Sequence, residues 1–301
     1  MRKIAGKSAL LRAVAFSLIL GLAPIPSLFA DTIVKKAAVQ TGVTVYSNDK
    51  AAIDASNLAE GYVMIKYTGG RDTRIKVQIA KQGGATYSYD LNAKGVAEHF
   101  ALTEDDGKYT ITVFENISGN KYTQAYSTTL ELKLRDKLLP YLYANQYVNF
   151  KEDSKVAKKA KELAKDTKTD LEALANIYYY VTENLTYDDK LAAAVPAGYL
   201  PDVEKVLETK KGICFDYAAL MAAMLRLEGI PSKLVVGYAG SIYHAWINVY
   251  IKDVGWIDQV IFFDGEKWSL MDPTFVSTSK SANAVKEFID EGNSYNQKFV
   301  Y

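Results

Sequence analysis

The stretch Gly212-Ile-Cys-Phe-Asp-Tyr-Ala-Ala-Leu-Met-Ala-Ala-Met-Leu-Arg-Leu-Glu-Gly229 decides the fold of the C-terminal half. Its apolar residues recur at spacings of three and four, which predicts a helix with one buried stripe. Gly229 and the following Pro231 end this helix. Cys214 therefore lies within one turn of the helix N-terminus, where unpaired backbone N–H groups and the helix dipole favour a thiolate.

The segments around this helix predict an α+β domain. Helical patterns precede it, and they cover residues 151–166, a segment from Asp170 to Val181, and residues 202–209. Strand patterns follow it at residues 233–238, 244–251, 256–263 and 267–271. Asp264-Gly265 indicates a hairpin between the last two strands. Helices first and antiparallel strands afterwards are typical of the α+β class.

Two further residues combine with the cysteine into a candidate catalytic set. His244 opens a predicted strand, and Asp272 ends another just before Pro273. A thiol, an imidazole and a carboxylate that orients the imidazole form a nucleophile, base and orienter arrangement. The alternative for Cys214 is a small buried hydrophobic residue, which is the usual fate of a free cysteine.

Several separate motifs in this half resemble the bacterial transglutaminase-like superfamily. They are Gly212-x-Cys-x-Asp-Tyr-Ala-x-Leu, Gly229-Ile-Pro231, Val236-Gly-Tyr238, His244-Ala-Trp-Ile-Asn248 and Trp268-x-x-x-Asp-Pro-Thr274. The order Cys, His, Asp also matches, and the resemblance covers roughly residues 170–275. It implies a papain-like α+β fold in which the cysteine helix packs against an antiparallel sheet.

The resemblance also implies roles for the residues. Cys214 would be the nucleophile, His244 the general base and acid, and Asp272 the orienter. Asn248 is a departure, because many relatives carry an acidic residue there, and we expect this change to affect specificity or packing. The implied function is a thiol enzyme that acts on amide or peptide bonds through a thioester, as a peptidase, deamidase or acyltransferase.

Two nearby side chains have supporting interpretations. The reaction requires donors to an oxyanion. The backbone N–H of Cys214 is the natural first donor, and the hydroxyl of Tyr187 is the candidate second. Asp216 is interpreted as a helix cap or a loop-stabilising residue rather than a catalytic one.

The segment from about Thr32 to Lys133 reads as strands and turns. Period-two patterns separated by glycine-containing turns predict an antiparallel, Ig-like sandwich, without the immunoglobulin-type disulfide because Cys214 is the only cysteine. His99 has no second metal-type ligand at convincing spacing and is interpreted as an ordinary surface or strand residue. The predicted domains are therefore a leader at 1–30, a sandwich at 31–134 and a transglutaminase-like catalytic domain at 135–301.

The first thirty residues predict a secretory signal peptide. Four basic residues precede an apolar run from Ala13 to Ala23, and a small residue, Ala30, precedes the polar chain. Pro24 and Pro26 interrupt the run, which disfavours the alternative of an uncleaved membrane anchor. We expect a secreted or cell-surface protein with no stable membrane span after cleavage. Removing the leader leaves 32 basic residues against 35 acidic ones.

Composition excludes several classes of protein. A hydrophobic content of 49% excludes a disordered chain, and one cysteine excludes a disulfide scaffold. A net charge of +1 gives no reason to expect a nucleic-acid partner. No metal-ligand spacing appears, so we expect no metal and no cofactor. The expected partner is a protein or peptide substrate, with a cell-wall peptide as one option.

Two other functions are compatible with the same sequence. One is a catalytically silent fold that serves as a surface binding module, with the sandwich responsible for recognition. The other is a structural protein linked by an intermolecular disulfide at Cys214.

Overall fold

This computed structural model describes residues 37–239, 241–258, 261–263, 268–270 and 295–301. The predicted leader at 1–30 and the predicted orienter Asp272 lie outside the described residues. The prediction of a secretory signal peptide therefore stays a prediction.

Within the described residues, eight strands make up the N-terminal half. They are β1 (Val45–Ser47), β2 (Ala51–Asp54), β3 (Tyr62–Tyr67), β4 (Ile75–Lys81), β5 (Thr86–Leu91), β6 (Glu98–Ala101), β7 (Gly107–Ser118) and β8 (Lys121–Leu132). They form two four-stranded antiparallel sheets, in the orders β1-β2-β3-β6 and β5-β4-β7-β8. Short 3₁₀ turns at Leu58–Glu60 and Leu139–Tyr141 complete this part of the chain.

The two sheets pack face to face around one apolar core. Alternate residues of β4, such as Ile75 and Val77, point into this core, and Ile53 and Ile65 enter it from the other sheet. Period-two alternation places one face of each strand in the core, which is how a two-sheet sandwich is filled. The sandwich matches the architecture predicted from the sequence, and its likeness to the immunoglobulin fold stays a prediction.

The described part of the C-terminal half contains five helices and eight further strands. The helices are α1 (Lys155–Ala164), α2 (Asp170–Asn184), α3 (Asp189–Ala193), α4 (Val203–Thr209) and α5 (Cys214–Leu227). The strands are β9 (Thr186–Tyr187), β10 (Lys211–Gly212), β11 (Ser232–Ala239), β12 (Ile242–Ile251), β13 (Gly255–Ile257), β14 (Ile261–Phe263), β15 (Trp268–Leu270) and β16 (Tyr295–Val300).

The main sheet of this half is antiparallel and runs in the order β13-β12-β11-β16. Helix α5 shares a core with it, since Ala245, Ile247 and Val249 of β12 join the same apolar cluster as the helix. The predicted α+β class, in which the cysteine helix packs against an antiparallel sheet, is therefore confirmed. One detail differs: the pattern at 256–263 predicts one strand, whereas β13 and β14 are separate strands with different partners.

Helix α5 is more deeply buried than its one-sided stripe predicts. Every residue from Asp216 to Leu227 is buried, because the other helices and the sheet surround α5. Even Arg226 is fully buried, and its guanidinium donates to the backbone carbonyls of Tyr143, Ser232 and Tyr301 at 2.7 Å each. Gly229, at φ +79°, ends the helix as predicted.

Strand β16 has no counterpart among the strands predicted from the sequence. It pairs with β11 at the edge of the main sheet and also touches the sandwich. The Thr103 hydroxyl donates to the Val300 carbonyl at 2.8 Å, and the Val300 N–H donates to the Tyr87 hydroxyl at 3.2 Å. The chain therefore returns from the α+β half to the sandwich, and this return places Tyr301 between the two cores. The predicted domain boundary at 134/135 stays a prediction.

Candidate active site

Cys214 is the first residue of helix α5, as the sequence predicts. The preceding Ile213 has an extended backbone, and its N–H donates to the Asp216 carboxylate at 2.9 Å. The Tyr199 hydroxyl donates to the same carboxylate at 2.7 Å. Asp216 is therefore the helix cap that the sequence indicates. Gly212 is required here, because a Cβ atom on it would lie 2.6 Å from the Asp216 Cβ.

The Cys214 thiol lies against the strand that carries His244. Its sulfur interacts with the backbone N–H groups of Phe215 and of Ala245, the residue directly after His244. Cys214 and His244 also line the same cavity, which has a volume of about 460 Å³. The start of α5 packs against β12, so Cys214 and His244, thirty positions apart in the chain, line the same cavity.

The pKa shifts of Cys214 and His244 both favour the uncharged form of the side chain. Burial raises the pKa of the Cys214 thiol, against the opposing effect of the N–H groups of Ala245 and Phe215. Burial also lowers the pKa of His244 to about 4. The sequence predicts a thiolate favoured by the helix N-terminus, and this expectation is wrong for the resting site. Desolvation outweighs the helix end, so the pair rests as thiol and neutral imidazole.

Tyr187, the predicted second oxyanion donor, is brought to Cys214. It ends the short strand β9, which runs parallel to β10 just before α5. Both the backbone N–H and the thiol of Cys214 interact with the Tyr187 hydroxyl. The pKa of Tyr187 is raised to about 12, first by burial and then by the nearby Cys214. The phenol therefore keeps its proton at neutral pH and can donate a hydrogen bond.

Two other residues singled out in the sequence have different outcomes. Asp272 lies outside the described residues, so its role as orienter stays a prediction. Asn248 is a buried residue of β12 opposite Lys233 of β11. The expectation that this departure affects specificity or packing stays a prediction.

The cavity wall contains aromatic residues that sequence reasoning did not single out for the site. Besides Tyr187, they are Tyr147, Tyr199, Phe215, Tyr243 and Tyr301. Tyr147 follows the sandwich and Tyr301 follows β16, so only the folded chain places them beside Cys214. Tyr243 could have been found from the sequence, since it directly precedes His244.

The described part of the chain contains no group of three or more His, Cys, Asp or Glu residues arranged to hold a metal ion. The expectation of a reaction without metal or cofactor stays a prediction. Among the described helices, none has the length and apolar character needed to cross a membrane.

Parts of this chain are similar in sequence to known proteins. Over 191 residues the chain is 25% identical to the uncharacterized protein YebA of Bacillus subtilis, and over 180 residues it is 27% identical to human kyphoscoliosis peptidase. Each match covers 54% of this chain but only 24% of the relative. A shorter match, 32% identical over 66 residues, joins 17% of the chain to 10% of a protein-glutamine gamma-glutamyltransferase of Pseudomonas aeruginosa.

The family comparison covers the segment that contains the site. A model described as the transglutaminase-like superfamily matches residues 157–273. This range runs from α1 through Cys214 and His244 to the residue after Asp272. Residues 157–273 of this chain are therefore similar to the transglutaminase-like superfamily.

Proposed function

We propose that this protein is a thiol enzyme that acts on amide or peptide bonds through a thioester on Cys214. The observation that carries the proposal is the meeting of the Cys214 thiol with the His244–Ala245 segment at a cavity of about 460 Å³. A cavity of this volume lies in the range that binds small ligands or a short peptide segment. Two of the similar proteins, one named a peptidase and the other a gamma-glutamyltransferase, support the same reaction class.

The neutral resting pair determines how the first step proceeds. His244 takes the thiol proton as the sulfur attacks the carbonyl carbon, so that the nucleophile is generated at the moment of attack. The carbonyl π electrons move to oxygen and give a tetrahedral oxyanion. The Cys214 backbone N–H and the Tyr187 hydroxyl are the proposed donors to this oxyanion.

Collapse of the tetrahedral intermediate gives the thioester. The C–N bond breaks while the His244 imidazolium returns its proton to the leaving amine, and Asp272 is proposed to orient the imidazole. In the second half, water attacks the thioester and releases an acid, or a primary amine attacks and forms a new amide. Both outcomes share the first half, and both restore the Cys214 thiol.

The proposed site of action is outside the cell. The basic and apolar leader at 1–30 supports a secreted or cell-surface protein whose substrate is a protein or peptide, cell-wall peptide included. N-terminal sequencing of the exported protein should find a new N-terminus close to Asp31. An exported protein that retains Met1 would contradict cleavage.

Trapping the thioester tests the proposed chemistry. The full-length protein is mixed with a glutamine-containing peptide amide, quenched in acid and digested, and the acyl adduct on the Cys214 peptide is sought by mass spectrometry. Parallel reactions in water alone and with an added primary amine distinguish hydrolysis from transfer. Cys214→Ala is the matched control and should give no adduct.

Two results would contradict the proposal. Turnover that persists after iodoacetamide has alkylated Cys214 would exclude the thiol as nucleophile. Binding of peptides without any adduct or turnover would favour the alternative of a silent binding module.

A further inference from the structure

One rim of the cavity is a run of exposed residues without charge. Residues 192–198, Ala-Ala-Ala-Val-Pro-Ala-Gly, begin in the last turn of helix α3 and continue beyond it, and each of them is exposed. The side chain of Val195 is 44% exposed and lines the cavity. Contiguous exposed apolar surface beside a cavity is typical of an interaction site rather than of a solvated loop.

An exposed aromatic pair lies on the strands that border the same cavity. Tyr243 of β12 is 58% exposed and lines the cavity, and Tyr238 of β11 is 38% exposed. The two residues are directly opposite in the sheet, and their ring centroids are 5.3 Å apart. Exposed tyrosines give large contact area at little entropic cost, which is why they recur at binding surfaces.

The interior of the cavity continues the uncharged character of the rim. Phe215 packs near Tyr147 and Tyr199, with ring centroids 5.7 and 6.5 Å apart. Among the described lining residues there is no Lys, Arg, Asp or Glu, and His244 rests neutral. A charged substrate side chain would lose its water here without gaining a counter-charge from these residues.

We infer that this cleft selects an uncharged acyl donor: a peptide segment with aliphatic and aromatic side chains beside the reacting amide. The inference rests on the proposed function for the position of that amide at Cys214. Val195 contacts the donor from one rim and Tyr243 from the other, through their exposed side chains. Tyr243 and Val195 are therefore specificity-determining residues.

The experiment measures binding separately from chemistry. Three heptapeptides are used, each N-acetylated and C-amidated with a central glutamine. Their flanking residues are leucine and tyrosine in the first, glutamate in the second and lysine in the third. Calorimetric titration of the full-length Cys214→Ala protein gives each Kd. The leucine–tyrosine peptide should bind at least about tenfold more tightly than either charged peptide.

Two variants in the same Cys214→Ala background locate the selectivity. Tyr243→Ala should raise the Kd of the leucine–tyrosine peptide about five- to thirtyfold. Tyr46→Ala is the matched control, because Tyr46 is also an exposed tyrosine, 39% exposed, but lies on β1 of the sandwich. Val195→Lys should tighten binding of the glutamate peptide and weaken that of the lysine peptide.

Two binding results would overturn the inference. One is a charged peptide that binds as tightly as the leucine–tyrosine peptide or more tightly. The other is a Kd for the leucine–tyrosine peptide that Tyr243→Ala leaves unchanged. The protein could instead bind phosphatidylcholine vesicles and no peptide, and lose this binding in Tyr243→Ala; the surface would then be a membrane-binding site. Self-association with the same dependence on Tyr243 would assign the surface to a second copy of the chain.

The two proposals fail in different ways. The Cys214→Ala protein could bind the peptides selectively while the wild-type protein forms no thioester. This result would contradict the proposed chemistry and support the inferred selectivity. Thioester formation at equal rates from all three peptides would keep the chemistry and remove the selectivity.

Discussion

The surroundings of His99 and of His244 provide a comparison within one molecule. Both histidines lie on strands, and burial lowers the pKa of His99 to about 3 and that of His244 to about 4. His99 is enclosed by Tyr62 and Tyr143, with ring centroids at 4.8 and 6.2 Å. His244 instead borders the cavity beside Cys214.

The difference shows what distinguishes a candidate active site from a buried polar residue. Perturbed pKa values alone would select both histidines. His99 is a strand residue, one of the two options that the sequence left open, and its two ring nitrogens are buried with no hydrogen-bond partner among the described residues. Only His244 combines the shift with a thiol and a cavity that could admit a substrate.

The largest expected effect comes from removing the imidazole of His244. His244→Ala should reduce acyl-enzyme formation at least about 10³-fold, because no base remains to take the thiol proton. His99→Ala is the matched control and should change this rate less than about threefold, since His99 touches neither the thiol nor the cavity. Quenched-flow mass spectrometry measures the rates, and circular dichroism checks folding. If both variants lost the same amount of activity, the position of His244 beside Cys214 would have no special importance for catalysis.

Asp272→Ala should have the next largest effect. A carboxylate that orients the imidazole supports His244 without exchanging the proton itself, so its loss should be smaller than that of the base. We expect Asp272→Ala to retain roughly ten- to a hundredfold more activity than His244→Ala. Asp272→Asn, which keeps the shape of the side chain, is the companion variant. A rate equal to that of the wild-type protein in both variants would exclude Asp272 as orienter.

Acid should destabilise the protein through both histidines. Each has a folded pKa below its unfolded value of about 6.5, so the unfolded chain binds protons first as the pH falls. Their contribution to the unfolding free energy is therefore complete above pH 6.5. It falls from pH 6.5 to about 4 for His244 and to about 3 for His99. The slope per histidine is at most about 1.4 kcal/mol per pH unit.

Denaturant titrations between pH 7 and pH 5 test this pH dependence of stability. A histidine variant then shows how much of it comes from each histidine. His99→Leu removes one of the two groups and should make the stability profile shallower. A profile that stays as steep in His99→Leu as in the wild-type protein would show that His99 is not held neutral in the folded state.

The smallest expected effect is a shift in the reactivity of the thiol. The Asp216 carboxylate adds to the raised pKa of Cys214 by charge repulsion with the thiolate, after the larger effect of burial. Asp216→Asn keeps an acceptor for the Ile213 N–H but removes the charge, so the pKa of Cys214 should fall. The midpoint of iodoacetamide alkylation against pH should move to lower pH, while Tyr199→Phe, which retains the charge, should not lower it. An unchanged midpoint in Asp216→Asn would exclude the charge effect.

The sequence was most informative where a structure depends on neighbours in the chain. The helical period and the Gly229 break predicted α5, and period-two patterns predicted antiparallel strands in the sandwich, β4 among them. Strand β16 and helix α3 were missed. The strand obtains its partner from a segment about sixty residues earlier in the chain, and the helix has only five residues and no apolar period.

The sequence by itself determined the residue types of the candidate site and their order, because a thiol, an imidazole and a helix start are local features. Only the tertiary structure decided the protonation of the resting pair and the character of the cleft. Desolvation depends on everything packed around Cys214 and His244, and it reversed the effect expected of a helix N-terminus alone. The aromatic wall, with Tyr147 and Tyr301 from distant segments, exists only because the chain returns through β16 to the sandwich.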